Sequence, residues 1–249
     1  MHIGIIGTGA VGAALTHKLV AAGHQVKVTN SQSPEELAQK ARELGATPVT
    51  LQEVVQNVDV VFLSIPLLAI PKLPAGLFRE LPAEVVVADT SNYSPMRDGQ
   101  IAALDNGQAE GLWVAEQLGR PIVKAFSNQP AQTLAEGGTA PGTPGRLAIA
   151  IVGADDQAKK VVATLINDTG FDVVDAGSLA DSWRMQGGTP AFCTDLTAPE
   201  LTQALAAAVP GKGPGVLAQV IAQLMQLTSA PTREEFVALN RRLSAAAVS

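Results

Sequence analysis

Gly7, Gly9 and Gly12 fall in the run Gly7-Thr8-Gly9-Ala10-Val11-Gly12, between the apolar stretch His2-Ile3-Gly4-Ile5-Ile6 and a helical pattern over residues 13–22. Strand, glycine turn and helix in that order form the context in which G-x-G-x-x-G predicts dinucleotide binding. Gly7 permits the tight turn out of the strand, Gly9 leaves the backbone bare for a pyrophosphate, and Gly12 lets the helix pack close to the strand. The helix start then aims free N–H groups and the positive end of its dipole at the phosphates. The bland alternative is a glycine-rich turn that binds nothing.

A second group of residues would choose the nucleotide. Thr29-Asn30-Ser31-Gln32-Ser33 ends the next predicted strand, and the first acid after it is Glu35. A carboxylate here would bind a ribose 2′-hydroxyl and repel a 2′-phosphate. Asn30 and Ser31 offer neutral donors instead, which favours NADP over NAD, although no arginine is present to clamp a phosphate. Alternatively these residues only cap the following helix.

Hydride transfer asks mainly for position, and a carbonyl or imine acceptor asks for a proton donor as well. Open α/β sheets bind ligands beyond the carboxyl ends of their strands. Asp89, Ser91, Asn92 and Tyr93 follow one predicted strand; Lys124, Ser127 and Asn128 end the next. Tyr93, the only tyrosine, could donate a proton or stack on a ring, or be a half-buried core aromatic with a wet hydroxyl. Lys124 could orient a substrate oxygen or simply terminate a strand. Asn128, ahead of Pro130, could bond a carbonyl or cap a turn. The catalytic candidates are thus Tyr93, Lys124 and Asn128, with Ser91 and Asn92 as cofactor contacts. Asp89 reads as a loop brace. Trp183 and Arg184 either line a cleft or plug the core. His2, His17 and His24 have no metal-ligand spacing, so no metal is expected, and Cys193 reads as a small buried residue.

Alternating strands and helices must position these groups. Strands are predicted over residues 2–6, 25–29, 58–63, 85–88, 122–126, 147–152 and 171–174, and helices over 34–44, 112–118 and 155–169. Capping boxes stand at Ser33–Glu36, Thr50–Glu53 and Thr232–Glu235. The pattern implies a doubly wound, mostly parallel α/β sheet. Beyond residue 176 it turns to helices and loops, with helices predicted over 200–209 and 216–227. The loop over 137–145, rich in Gly, Pro and Thr, reads as either a lid or a plain connection.

Bulk properties exclude other classes. The 249 residues are 47% hydrophobic and 16% charged, enough for a sizeable core, with a net charge of −6 and no basic block to hold nucleic acid. The most apolar stretch, 58–70, contains Asp59, Ser64 and Pro66 and is too short to span a bilayer. A strand at the N-terminus, with no basic residues before it, argues against a signal peptide, so a cytoplasmic protein is expected.

With these residues in view, the chain resembles the NADPH-dependent F420 reductase family (NADP oxidoreductases, coenzyme F420-dependent), whose dinucleotide domain is also similar to that of the STEAP metalloreductases. The matching pieces are Gly7–Gly12, Thr29-Asn30-Ser31, Ser64-Ile65-Pro66, Asp89-Thr90-Ser91-Asn92-Tyr93, Arg97-Asp98-Gly99, Lys124-Ala125-Phe126-Ser127-Asn128 and Asp175-Ala176-Gly177-Ser178-Leu179. The resemblance runs to about residue 195. It implies hydride transfer between NADPH and a deazaflavin, with Gly7, Thr8, Gly9, Ala10, Val11 and Gly12 on the pyrophosphate and Asn30 and Ser31 on the 2′-phosphate. It also implies that Ser64, Ile65 and Pro66 flank the ribose and nicotinamide. Two departures stand out: Gln32 where a basic residue often follows the Asn-Ser pair, and a longer helical tail.

The expectation is therefore a Rossmann domain over residues 1–176 that binds NADP, and a mainly helical region over 177–249 for substrate and dimer contacts. The protein would form a homodimer and act on a small-molecule acceptor, F420 or a flavin, with no nucleic-acid or membrane partner. Two alternatives remain: a reductase of small carbonyl or imine compounds using Tyr93 or Lys124, and an NADP sensor without turnover.

Overall fold

The computed structural model describes residues 1–74 and 76–247, so the last two residues of the predicted C-terminal region lie outside it. In chain order the elements are β1 (His2–Ile6), α1 (Ala10–Ala21), β2 (Gln25–Thr29), α2 (Pro34–Leu44), β3 (Thr47–Pro48), β4 (Val60–Leu63) and β5 (Val86–Asp89). Then come α3 (Pro95–Asp98), α4 (Ala102–Asp105), α5 (Glu110–Leu118), β6 (Val123–Lys124), α6 (Ala131–Glu136), β7 (Ala148–Gly153), α7 (Asp156–Asp168) and β8 (Asp172–Asp175). Helices α8 (Ala198–Ala207), α9 (Gly213–Leu224) and α10 (Arg233–Ala246) follow.

The eight strands form one sheet in the order β3-β2-β1-β4-β5-β6-β7-β8. All neighbours pair in parallel except β6 and β7, as expected of a doubly wound, mostly parallel sheet. Strand order reverses between β1 and β4, which is where such sheets open a crevice for a nucleotide. Alternate residues of each central strand feed opposite faces. Ile3, Ile5, Val60, Phe62, Ile149 and Ile151 pack under α1, α2 and α7, while Ile6, Val61, Leu63, Val87 and Ala150 pack under α5 and α8.

Several elements depart from the sequence pattern for local reasons. The strand predicted over 122–126 stops at Lys124 because Phe126 takes φ +60°, a left-handed conformation rare for a bulky residue. Beyond that kink, side chains replace the backbone ladder: Asn128 Oδ1 accepts from Ala150 N at 3.3 Å and Gln129 Nε2 donates to Ala148 O at 2.8 Å. The Thr50–Glu53 capping box forms, but it opens only the single 3-10 turn Glu53–Val55. The two-residue β3, half of it proline, carries too little pattern to announce itself.

The C-terminal region divides in its packing. Leu179, Met185, Leu201 and Leu205 join the core on one face of the sheet, whereas Val216, Val220 and Leu243 of α9 and α10 build a small cluster of their own. Helix α10 is tied back by polar bonds: Arg233 binds Asp195 at 2.7 Å, and Arg241 donates to the Thr194 and Asp195 carbonyls. The 137–145 loop is also pinned. Lys18 donates to Gly137 O, and Thr139 N donates to Gly170 O at 2.9 Å. Its anchor on α1 lies two helical turns beyond the glycine turn.

Candidate active site

At the switch point the three glycines divide their work. Gly7 has φ +103°, and a Cβ there would stand 2.1 Å from Ser64 O. A Cβ on Gly12 would stand 2.0 Å from Gly7 O. On Gly9 it would meet no atom of the described residues within 4 Å. Folding therefore demands Gly7 and Gly12, while Gly9 borders open space at the start of α1. That helix has no side-chain cap and no acid in its first turn, which leaves its leading N–H groups available to an anion. By contrast Ser33, Asp155 and Thr232 cap α2, α7 and α10. These features fit a dinucleotide pyrophosphate.

The flanking segments lean on this turn. Asn30 Nδ2 donates to Thr8 Oγ1 at 2.7 Å, joining the glycine turn to the end of β2. Ser64 N donates to Ile6 O at 2.8 Å, and Ser64 Oγ accepts from Thr90 Oγ1 at 3.1 Å. Ile65 would crowd any side chain on Gly7, and Pro66 precedes the 3-10 turn Leu67–Lys72. Beyond β5 and β6, Ser91 Oγ, Asn92 Oδ1 and Ser127 Oγ are buried without a hydrogen-bond partner among the described residues. Asn92 Nδ2 binds Ser127 O at 2.9 Å, which brings the two segments together. Buried polar atoms usually find partners, so orphans beside a nucleotide crevice fit the polar end of a bound ligand.

Lys124 lies beneath these segments. Its side chain has 0% exposure, and its ammonium sits 2.9 Å from Asp89 Oδ2, 3.3 Å from Glu110 Oε2 and 2.6 Å from Ser91 O. Asp89 Oδ1 accepts from Ser91 N at 3.0 Å, and Glu110 Oε1 accepts from Tyr93 N at 3.2 Å. The three ionic groups therefore fix the backbone of residues 91–93 from below. Burial opposes the Lys124 charge, but Asp89 and Glu110 outweigh it and hold the ammonium above the usual lysine range. One cation faces two carboxylates, and burial pushes the Glu110 carboxyl up despite the pull of Lys124. Folded Glu110 keeps its proton to higher pH than the unfolded chain does. Stability should then fall as pH rises from the ordinary carboxyl value of 4.5 through the raised one. Glu110→Gln should flatten that decline, as measured by urea unfolding across the window; an unchanged slope would assign the proton elsewhere.

The other candidates are likewise tied up within the protein. Tyr93 Oη donates to Asp105 Oδ1 at 2.7 Å, contacts Gly99 O at 3.1 Å and accepts from Ile101 N at 3.1 Å. Asn128 is 1% exposed and links β7 to the chain near Ala191 and Cys193. Burial pushes the Cys193 thiol far up, leaving it an inert core residue. Trp183 is half-buried under the Arg184 guanidinium, 4.5 Å from its ring centre. Among the described residues no cluster of His, Cys, Asp or Glu could hold a metal ion, and no helix is long and apolar enough to cross a membrane. Sequence reasoning missed Glu110. Its only local signal is an acid at a helix start, which is common on surfaces.

Comparison with known proteins bears on this geometry. The sequence model of the family described as NADP oxidoreductase, coenzyme F420-dependent, matches residues 2–93. The protein YjhV of Escherichia coli (strain K12) is 41% identical over 103 residues, which cover 41% of this chain and 75% of that protein. Hypothetical protein SMa0349 from Sinorhizobium meliloti is 29% identical with a TM-score of 0.66, over 79% of this chain and 95% of that one. A provisionally assigned F420-dependent NADP-reductase from Arthrobacter sp. FB24 is 22% identical with a TM-score of 0.57, over 71% and 85% of the two chains. A pyrroline-5-carboxylate reductase from Coxiella burnetii is 18% identical with a TM-score of 0.53, over 98% and 77%. At these identities the last two speak for the fold alone.

Proposed function

The chain belongs to the NADP oxidoreductase, coenzyme F420-dependent, family, and on that premise we propose that it moves a hydride between NADPH and a deazaflavin or flavin-type acceptor in the cytoplasm. The observation that carries the reading is the open space at Gly9 between two glycines that folding itself requires. In this reading residues 7–12 hold the pyrophosphate, Ser31 meets the 2′ end of the adenosine ribose while Asn30 braces the turn beside it, and Ser64, Ile65 and Pro66 border the second ribose and the nicotinamide. Ser91 and Asn92 would contact the nicotinamide end. When bound, the nicotinamide supplies the hydride; the chain's part is to hold it in place and keep water away.

The state of the proton-donor candidates favours a deazaflavin or flavin over a ketone or imine. Those acceptors need an acid, and the Tyr93 hydroxyl and Lys124 ammonium are already engaged by protein groups. Tyr93→Phe is therefore expected to lower stability by roughly 1 kcal/mol and leave kcat for the ring acceptor within about threefold. Loss of nearly all activity would return Tyr93 to the chemistry.

Loss of NADPH absorbance on adding F420 or a flavin tests the reading as a whole. Decay with ketones or imines instead would move the protein to carbonyl or imine reduction. Tight NADPH binding with no turnover on any acceptor would make it a sensor.

A further inference from the structure

The turn from β2 into α2 carries no positive charge: residues 29–36 read Thr-Asn-Ser-Gln-Ser-Pro-Glu-Glu. In dinucleotide folds this turn meets the adenosine ribose, where an acid binds a 2′-hydroxyl and an arginine receives a 2′-phosphate. The structure adds a fact that the sequence pattern conceals. The Asn30 amide is spent inside the protein, donating to Thr8 Oγ1 at 2.7 Å and Gln32 Oε1 at 2.8 Å, while its oxygen accepts from Gln32 N at 2.9 Å.

The lysines of the flanking elements have partners of their own. Lys27 on β2 donates to Gln56 O at 2.8 Å, and Lys40 on α2 pairs with Glu43 at 3.4 Å. Glu36 folds back onto Ser33, whose N and Oγ it accepts at 3.0 and 2.9 Å, closing the start of α2. Glu35 adds a second acid to that first turn. Ser31 and Gln32 are exposed at this turn; with Gln32 Oε1 and N bonded to Asn30, the Gln32 Nε2 and the Ser31 hydroxyl are the neutral groups left to bond either a hydroxyl or a phosphate.

Resting on the dinucleotide reading above, we infer that this pocket takes NADH and NADPH with affinities within about tenfold of each other, and that Gln32 is the position that sets this lack of preference. Strong discrimination needs a group that the wrong ligand leaves unpaired or repelled. A neutral, exposed amide neither cancels the charge of a 2′-phosphate nor opposes it, and the helix dipole and the two acids of α2 act in opposite senses.

Titration calorimetry of the full chain with NADPH and with NADH tests this. Unmodified protein should bind both, with dissociation constants no more than about tenfold apart. Gln32→Arg should tighten NADPH by about tenfold or more, with a gain that shrinks as salt is added, and leave NADH within about twofold. Gln32→Asp should weaken NADPH and spare NADH. The Gln32 side chain is exposed and outside the α2 cap, so both variants should fold, which circular dichroism checks. A preference beyond about thirtyfold in the unmodified protein, or an unchanged ratio in Gln32→Arg, overturns the inference while the functional reading stands. Failure to bind either nucleotide would overturn both.

Discussion

Lys124→Met is expected to destabilise the protein by about 3–5 kcal/mol, because it leaves the Asp89 and Glu110 carboxylates buried with no cation between them. In a chain of this length that loss lowers Tm by roughly 10 °C. Urea unfolding at neutral pH measures it. If the single variant does not fold, Lys124→Met combined with Asp89→Asn and Glu110→Gln removes all three charges and should recover a large share of the loss. A single-variant change below about 1 kcal/mol would mean that the ammonium is not held as a buried ion. A second effect should accompany the first. Lys124 also holds Ser91 O, so a folded variant should bind the nicotinamide nucleotide more weakly while its pyrophosphate turn stays intact.

Gly9→Ala is expected to fold normally and lose nucleotide. Gly9 has φ −66°, which alanine adopts without strain, and its added Cβ would meet no atom of the described residues within 4 Å. The same methyl would occupy the space where a pyrophosphate approaches the backbone, so affinity should fall by about 10- to 100-fold, or about 1.4–2.8 kcal/mol. Gly12→Ala provides the contrast. Its methyl would stand 2.0 Å from Gly7 O, so it should damage the fold before binding can be assayed. Thermal unfolding and calorimetry on the two variants separate the roles. A Gly9→Ala protein that binds NADPH as tightly as the unmodified chain would remove the pyrophosphate from this turn.

How much of this was legible in the sequence depended on how far apart the partners lie. The glycine turn was readable because strand, turn and helix lie within some twenty consecutive residues, and the capping boxes because each needs only four. The mostly parallel sheet was readable from buried apolar runs such as residues 60–63. The Lys124 environment was not: Asp89 and Glu110 stand 35 and 14 residues away, and nothing local says that a lysine ending a strand is sealed from water. Asn30 shows the same limit from the other side. It is an available donor on paper, and only the fold brings Thr8 and Gln32 to consume it. The antiparallel run of β7 against β6 was hidden because more than twenty residues separate the two strands and an apolar run does not state its direction.

The unequal crowding around the glycines also bears on ancestry. In a descendant that had given up its nucleotide, drift could populate position 9 with small side chains while positions 7 and 12 stayed fixed by the protein's own atoms. Comparing substitution rates at these neighbouring sites would then date the loss of a cofactor, independently of any catalytic residue.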